Sequence, residues 1–183
     1  MSDEEFIVSE ETFSQEEWQL LRSLVYLVFF TVAAADGEVS KREVGVFLSM
    51  ITSWMMNRDT LLRMVLKDIG ETEEGGLAEY KRLLAALQEN RWSGPEALER
   101  AKSLLHERLP PDGYQRFVGS LLLCGLWIAR PDIIDGGPSE SVGEEEAKAL
   151  THLNHHFELD PDAVRKHLGM YEEAEELISY RFA

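Results

Sequence analysis

The sequence predicts an all-α protein: a single compact domain of about eight to nine helices with an internal pseudo-two-fold repeat. Three observations carry that prediction. Apolar residues recur at helical spacing, and Val and Ile never alternate with polar residues for a strand's length. Helix-start signals punctuate the chain, with capping boxes at Ser14/Glu17 and Ser40/Glu43 and caps at Asp59 and Asp160. The order apolar helix, Asp-Gly, Val, Glu also occurs twice, which suggests two copies of one unit.

Taken in order, residues 1–13 read as an acidic leader and 14–183 as the domain. The first helix is predicted from Ser14 to about Ala35 and is apolar on every side from Leu24 onward, so it belongs at the centre. A second helix is expected from Lys41 to about Met56, with Val44, Phe47, Leu48, Ile51, Trp54 and Met55 on one face. Asp59 caps a third helix whose inner face is Leu62, Val65, Leu66 and Ile69. A fourth carries Leu77, Tyr80, Leu84 and Leu87, after a turn at Glu71 to Gly76.

Ser93-Gly94-Pro95-Glu96 starts a fifth helix, which runs to about Arg108. Pro110 to Gly113 ends it and opens a sixth, Tyr114 to Ala129, again apolar on nearly every side. Pro131 to Gly143 is a loop. A seventh helix follows from Glu144 to about Phe157, an eighth from Asp160-Pro161 to His167, and a last from about Glu172 to Tyr180. The repeat halves span about 14–90 and 95–180. Asp36-Gly37, Val39, Glu43 and Asp59 of the first correspond to Asp135-Gly136, Val142, Glu146 and Asp160 of the second.

Composition narrows the functional classes. The formal charge is −16, from 34 acids and 18 bases. Phosphate binding rests on Lys and Arg, so a nucleic-acid partner is not expected, whereas a cation or a partner protein suits the charge. The one cysteine, Cys124, lies in an apolar run, reads as an inert packed thiol and allows no internal disulfide. That fits a cytoplasmic protein. The start is acidic where a secretory signal is basic, and Leu20 to Ala35 contains Arg22 and is too short for a span, so neither a signal nor a membrane helix is expected.

The first corner, Asp36 to Glu43, resembles the back half of an EF-hand loop: an acid, the turn glycine, an apolar residue and a closing glutamate. Val32 and Ala34 stand where the first two acids of such a loop belong, so a complete EF-hand is not expected. At the second corner Gly137 and Ser139 replace acids, and Glu140 stands at the glycine position. Pooled by the repeat, the corners offer Asp36, Glu38, Glu43, Asp132, Asp135 and Glu146. Carboxylates of this kind suit a hard divalent cation, Ca²⁺ or Mg²⁺. The plainer account is that Glu43 is a capping-box acid and Asp36 satisfies turn amides.

The string Ala33-Ala34-Ala35-Asp36-Gly37-Glu38-Val39-Ser40 through Glu43, with the weaker copy before Glu146, resembles the signature of the TerB-like, tellurite-resistance family. The resemblance spans most of residues 14–170. It implies an all-α domain with internal pseudo-symmetry, an acidic, metal-associated face, and a role in tellurite resistance or stress response without catalysis. It carries over to Asp36 and Glu43. The longer second loop, with Pro131 and Pro138, leaves open which acid there replaces Asp36.

Other candidates weigh less. His152 and His156 are one turn apart, but Leu150, Leu153 and Phe157 define the inner face, so the pair reads as a solvated surface. Trp54-Met55-Met56 offers adaptable side chains for a partner, yet its register with Phe47 and Ile51 favours core packing. No nucleophile motif and no phosphate loop is present. Three functions remain: a non-enzymatic, cation-binding interaction module whose partner is another protein, a metal-dependent hydrolase on the same acids, and an ion-free scaffold. Oligomeric state is not legible.

Overall fold

The structure is a computed structural model and describes residues 12–72, 77–88, 94–130 and 141–181. Nine α-helices occur among the described residues, with no strand. They are α1 (Gln15–Ala33), α2 (Lys41–Thr52), α3 (Thr60–Glu71), α4 (Leu77–Gln88), α5 (Gly94–Arg108), α6 (Pro111–Ala129), α7 (Glu144–His156), α8 (Pro161–Leu168) and α9 (Ala174–Ser179). A 3-10 turn, Trp54–Met56, lies between α2 and α3. None of these helices is long and apolar enough to cross a membrane.

α1 and α6 pack on each other as the central pair, as their sequences require. Leu24 to Phe30 of α1 and Phe117 to Leu126 of α6 are buried without interruption. A helix buried all round needs neighbours all round. α5 covers α1, α2 lies against α3 and α6, α7 touches both α6 and α1, and α8 and α9 close over α6. Phe47 of α2 stacks on Phe29 at 4.4 Å, and Tyr80 of α4 stacks on Phe30 at 5.4 Å. Phe29, Phe30 and Phe47 are fully buried, and each side chain of this kind contributes roughly 1.5–3 kcal/mol, while Tyr80 is partly buried.

The start of α1 is fixed more firmly than a loose leader would allow. Ser14 and Glu17 form the expected capping box. Phe13, placed in the leader by the sequence, is buried and meets Trp18 at 6.1 Å. Phe13 precedes the cap and Trp18 is the fourth helical residue, the arrangement of a hydrophobic staple. Residues 1–11 lie outside the described residues. The Trp18 indole donates to Asp68 at 2.9 Å, and Arg108 pairs with Glu17 at 2.6 Å.

Two expectations about α2 are corrected. The helix ends at Thr52, whose hydroxyl turns back to the carbonyls of Leu48 and Ser49, and not at Met56. The chain then tightens into the 3-10 turn, which breaks the 3.6-residue register. Met55 and Met56 therefore leave the inner face and are 70% and 77% exposed. Leu48 also faces outward, while Trp54 is half-buried with the Lys67 ammonium 5.5 Å from its ring. At the far end of α7 the backbone passes through Glu158 at φ 52°. Leu159 donates to the Asn154 carbonyl and Glu158 to that of His155, the bonds of a Schellman cap with Glu where Gly is usual.

Candidate functional site

The acidic corner begins where α1 stops. The helix ends at Ala33, two residues sooner than expected, and a turn carries Ala34 to Asp36. Gly37 takes φ +94°, which an L side chain rarely adopts, and its N–H donates to the Ala34 carbonyl at 3.0 Å. Asp36 Oδ1 accepts from the Glu38 N–H at 3.0 Å. Both of these side chains are exposed. Ser40 then caps α2: its hydroxyl accepts from Glu43 N–H at 3.1 Å, and Glu43 Oε2 accepts from Ser40 N–H at 2.7 Å.

Glu43 is the unusual member. It is 8% exposed although it sits in the first turn of a helix. Burial raises its pKa above the ordinary glutamate value. The two hydrogen bonds with Ser40 pull it back, and the negative charges of Asp36 and Glu146 push it up further. Asp36 and Glu146 are thus close enough to repel the Glu43 carboxylate, and one of them comes from the second corner.

Glu146 reaches this neighbourhood from the matching helical position, although the start of its helix has no side-chain cap. Gly143 caps α7, so Val142 precedes the cap and Glu146 is the third helical residue. Val39 and Glu43 hold those positions around Ser40 at the start of α2. Both valines pack on the core. The Glu146 carboxylate folds back over Gly143 so closely that a Cβ there would collide with it.

Tyr80 is a member the sequence reading placed only in the core. The α4 ring packs on Phe29 and Phe30, and the phenol is held protonated to higher pH by burial and then by the Glu43 charge. Its pattern position marked it as apolar lining, and nothing local in the sequence ties α4 to the corner.

Of the six acids the sequence singled out, Asp36 and Glu146 are each brought into electrostatic range of Glu43. Glu38 contributes a backbone N–H and an exposed side chain. Asp132 and Asp135 lie outside the described residues. Among the described residues no group of three or more His, Cys, Asp or Glu side chains is set as metal ligands.

Comparison with protein-family models, curated proteins and solved structures finds no match for this chain. The site is therefore read from its own geometry. Two further candidates are settled by it. Cys124 is buried, takes a 3.8 Å contact from the Asn57 amide, and has its thiol pushed up to about 12 by burial, so it is not a nucleophile near neutral pH. The histidines of α7 are less uniform than a solvated face: His152 and His155 are exposed, but His156 is largely covered, with Glu99 3.7 Å away.

Proposed function

We propose that this chain is a non-enzymatic interaction module whose acidic corner takes a divalent cation, Ca²⁺ or Mg²⁺, in the manner of the TerB-like domains it resembles. The observation that supports this is the buried Glu43 carboxylate with Asp36 and Glu146 charged beside it. Like charges gathered at a poorly hydrated carboxylate are costly, and a divalent cation removes that cost. The matching positions of Val39/Glu43 and Val142/Glu146 support an internal repeat that brings two corners to one place. A stress-response role and a protein partner follow from the resemblance and from the −16 charge.

The scaffold reading has an observation of its own. Glu43 already answers the Ser40 N–H, and Asp36 answers that of Glu38. A melting series separates the readings, because an ion that binds only the folded form at a hundred times its Kd adds about 2.7 kcal/mol. Added Ca²⁺ or Mg²⁺ is expected to raise the Tm of the wild type. The Asp36→Asn/Glu43→Gln variant is expected to lose that rise at unchanged helical content. A wild type indifferent to both ions establishes the scaffold, and cation-dependent ester or phosphoester turnover lost with Glu43→Gln establishes the hydrolase.

A further inference from the structure

A second feature is independent of the acidic corner and concerns sulfur. Of the six methionines, Met1 lies outside the described residues. Met55 and Met56 are the most exposed large apolar side chains among the described residues, and Met170 follows at 48%. Met50 is buried, and it lines one apolar space with Phe29, Phe47, Leu62 and Cys124. The 3-10 turn is held by its backbone and not by its methionine side chains. Met56 N–H donates to the Ser53 carbonyl at 2.9 Å, Asn57 N–H to that of Trp54 at 3.1 Å, and the Tyr171 hydroxyl to that of Met56 at 3.4 Å. Asn57 and Asp59, just after the turn, are buried.

The first sulfur that a peroxide attacks in a protein is commonly an exposed cysteine thiolate. Here that route is closed. Cys124 is buried, the Asn57 amide lies 3.8 Å from its sulfur, and burial pushes the thiol up to about 12. A thioether has no proton to lose, so exposure decides which methionine reacts. Sulfoxidation turns a flexible apolar side chain into a polar one. At Met50 it would put a polar group into the core, which is costly. At Met55 and Met56 it changes only the face turned to solvent.

We propose that Met55 and Met56 form a site of reversible sulfoxidation, with a peroxide as the oxidant, which turns this face from apolar to polar without disturbing the fold. The thioether sulfur attacks one peroxide oxygen, the O–O bond breaks and an S–O bond forms. The departing hydroxide takes up a proton and leaves as water. The sulfur is oxidised by two electrons and the peroxide is reduced by two. Two thiols reverse the step by giving up two electrons as they join in a disulfide, and the oxygen leaves as water. The reductases that carry this out, one for each sulfoxide epimer, need an exposed side chain, and both methionines offer one.

Limited hydrogen peroxide treatment of the full chain, followed by fragment mass mapping, tests this. Met55 and Met56 are expected to gain one oxygen each, while Met50 gains none and Cys124 still titrates as a free thiol after unfolding. Circular dichroism and the melting curve should be unchanged, and the oxidised chain should be held less strongly on a hydrophobic-interaction column. The two epimer-specific sulfoxide reductases, supplied with dithiothreitol, should restore both mass and retention. Met55→Leu/Met56→Leu keeps the face apolar and should lose most of the peroxide-dependent drop in retention, with Met50 still unoxidised. Oxidation of Met50 or Cys124 as early as that of Met55 and Met56 overturns the proposal. So does a loss of helical content on oxidation, a product that the reductases leave unchanged, or a retention drop undiminished in the leucine variant.

Discussion

At the scale of the residue, two positions at the acidic corner do unlike things. Gly37 has φ +94° and nothing within 4 Å of where a Cβ would stand. A substitution there meets no clash and is opposed by the backbone alone. Gly37→Val should lower stability by roughly 1 kcal/mol or more, and an unchanged urea midpoint would contradict the turn. Glu43 is instead opposed by its surroundings. Its pKa is higher folded than unfolded, chiefly through burial, so it favours the fold below the ordinary glutamate pKa and that advantage is lost as pH rises through the folded value. Glu43→Gln keeps an acceptor for the Ser40 N–H and removes the charge. In metal-free buffer the variant should match the wild type near pH 4 and melt higher near pH 7, by roughly 2–4 °C for each kcal/mol recovered. A gap that does not grow with pH would show that the carboxylate is comfortable where it sits.

At the scale of the element, one sequence signal has two values. Asp59 caps α3 and Asp160 caps α8, and the sequence treats them as equivalents. Asp59 is 2% exposed, accepts from Leu62 N–H at 2.8 Å, and is met by Arg116 of α6 at 3.1 Å. Burial raises its pKa while that amide and Arg116 pull it down. Asp160 is exposed, and its carboxylate accepts only from the Asp162 N–H at 3.1 Å among the described residues, its own N–H donating to Gln115. Asp59→Ala should cost about 1–2 kcal/mol, since a cap and a tie between α3 and α6 go together. Asp160→Ala should cost about 0.5–1 kcal/mol. Equal losses in denaturant midpoints would mean that the Arg116 contact adds nothing.

At the scale of the whole molecule, the fold rests on how closely α6 approaches α1. Gly125 allows that approach: a Cβ there would stand 3.3 Å from Val28 Cγ1 and 3.5 Å from Leu150 Cδ2 of α7. An alanine can be absorbed by small shifts, and it also gains helix propensity. The extra methyls of valine have no such room. Gly125→Val should destabilise by about 1–3 kcal/mol, read as a lower Tm with helical content retained before the transition, while Gly125→Ala should stay near the wild type. A valine variant as stable as the wild type would show that the central pair is loosely packed.

How much was legible follows from the range of each interaction. Periodicity, capping boxes and proline positions act within a few residues, so helix order, the starts of α1, α2 and α7, and the two central helices could be read from the chain. The turn at Gly37 was legible for the same reason, because its backbone demand is local. The stop of α2 at Thr52 was not: periodic apolar residues continue past it, and only the packed structure shows Met55 and Met56 turned to solvent. Nor was Tyr80's place beside Glu43, or the closeness of Glu43 to Glu146, legible, since each depends on helices far apart in sequence meeting around α1 and α6. The sequence by itself determined which segments are helices and which of them must be buried, because those are matters of neighbouring residues and of water. Only the tertiary structure decided which carboxylates act on the buried Glu43 and which methionines face outward, because charge repulsion and exposure are set by distance in space.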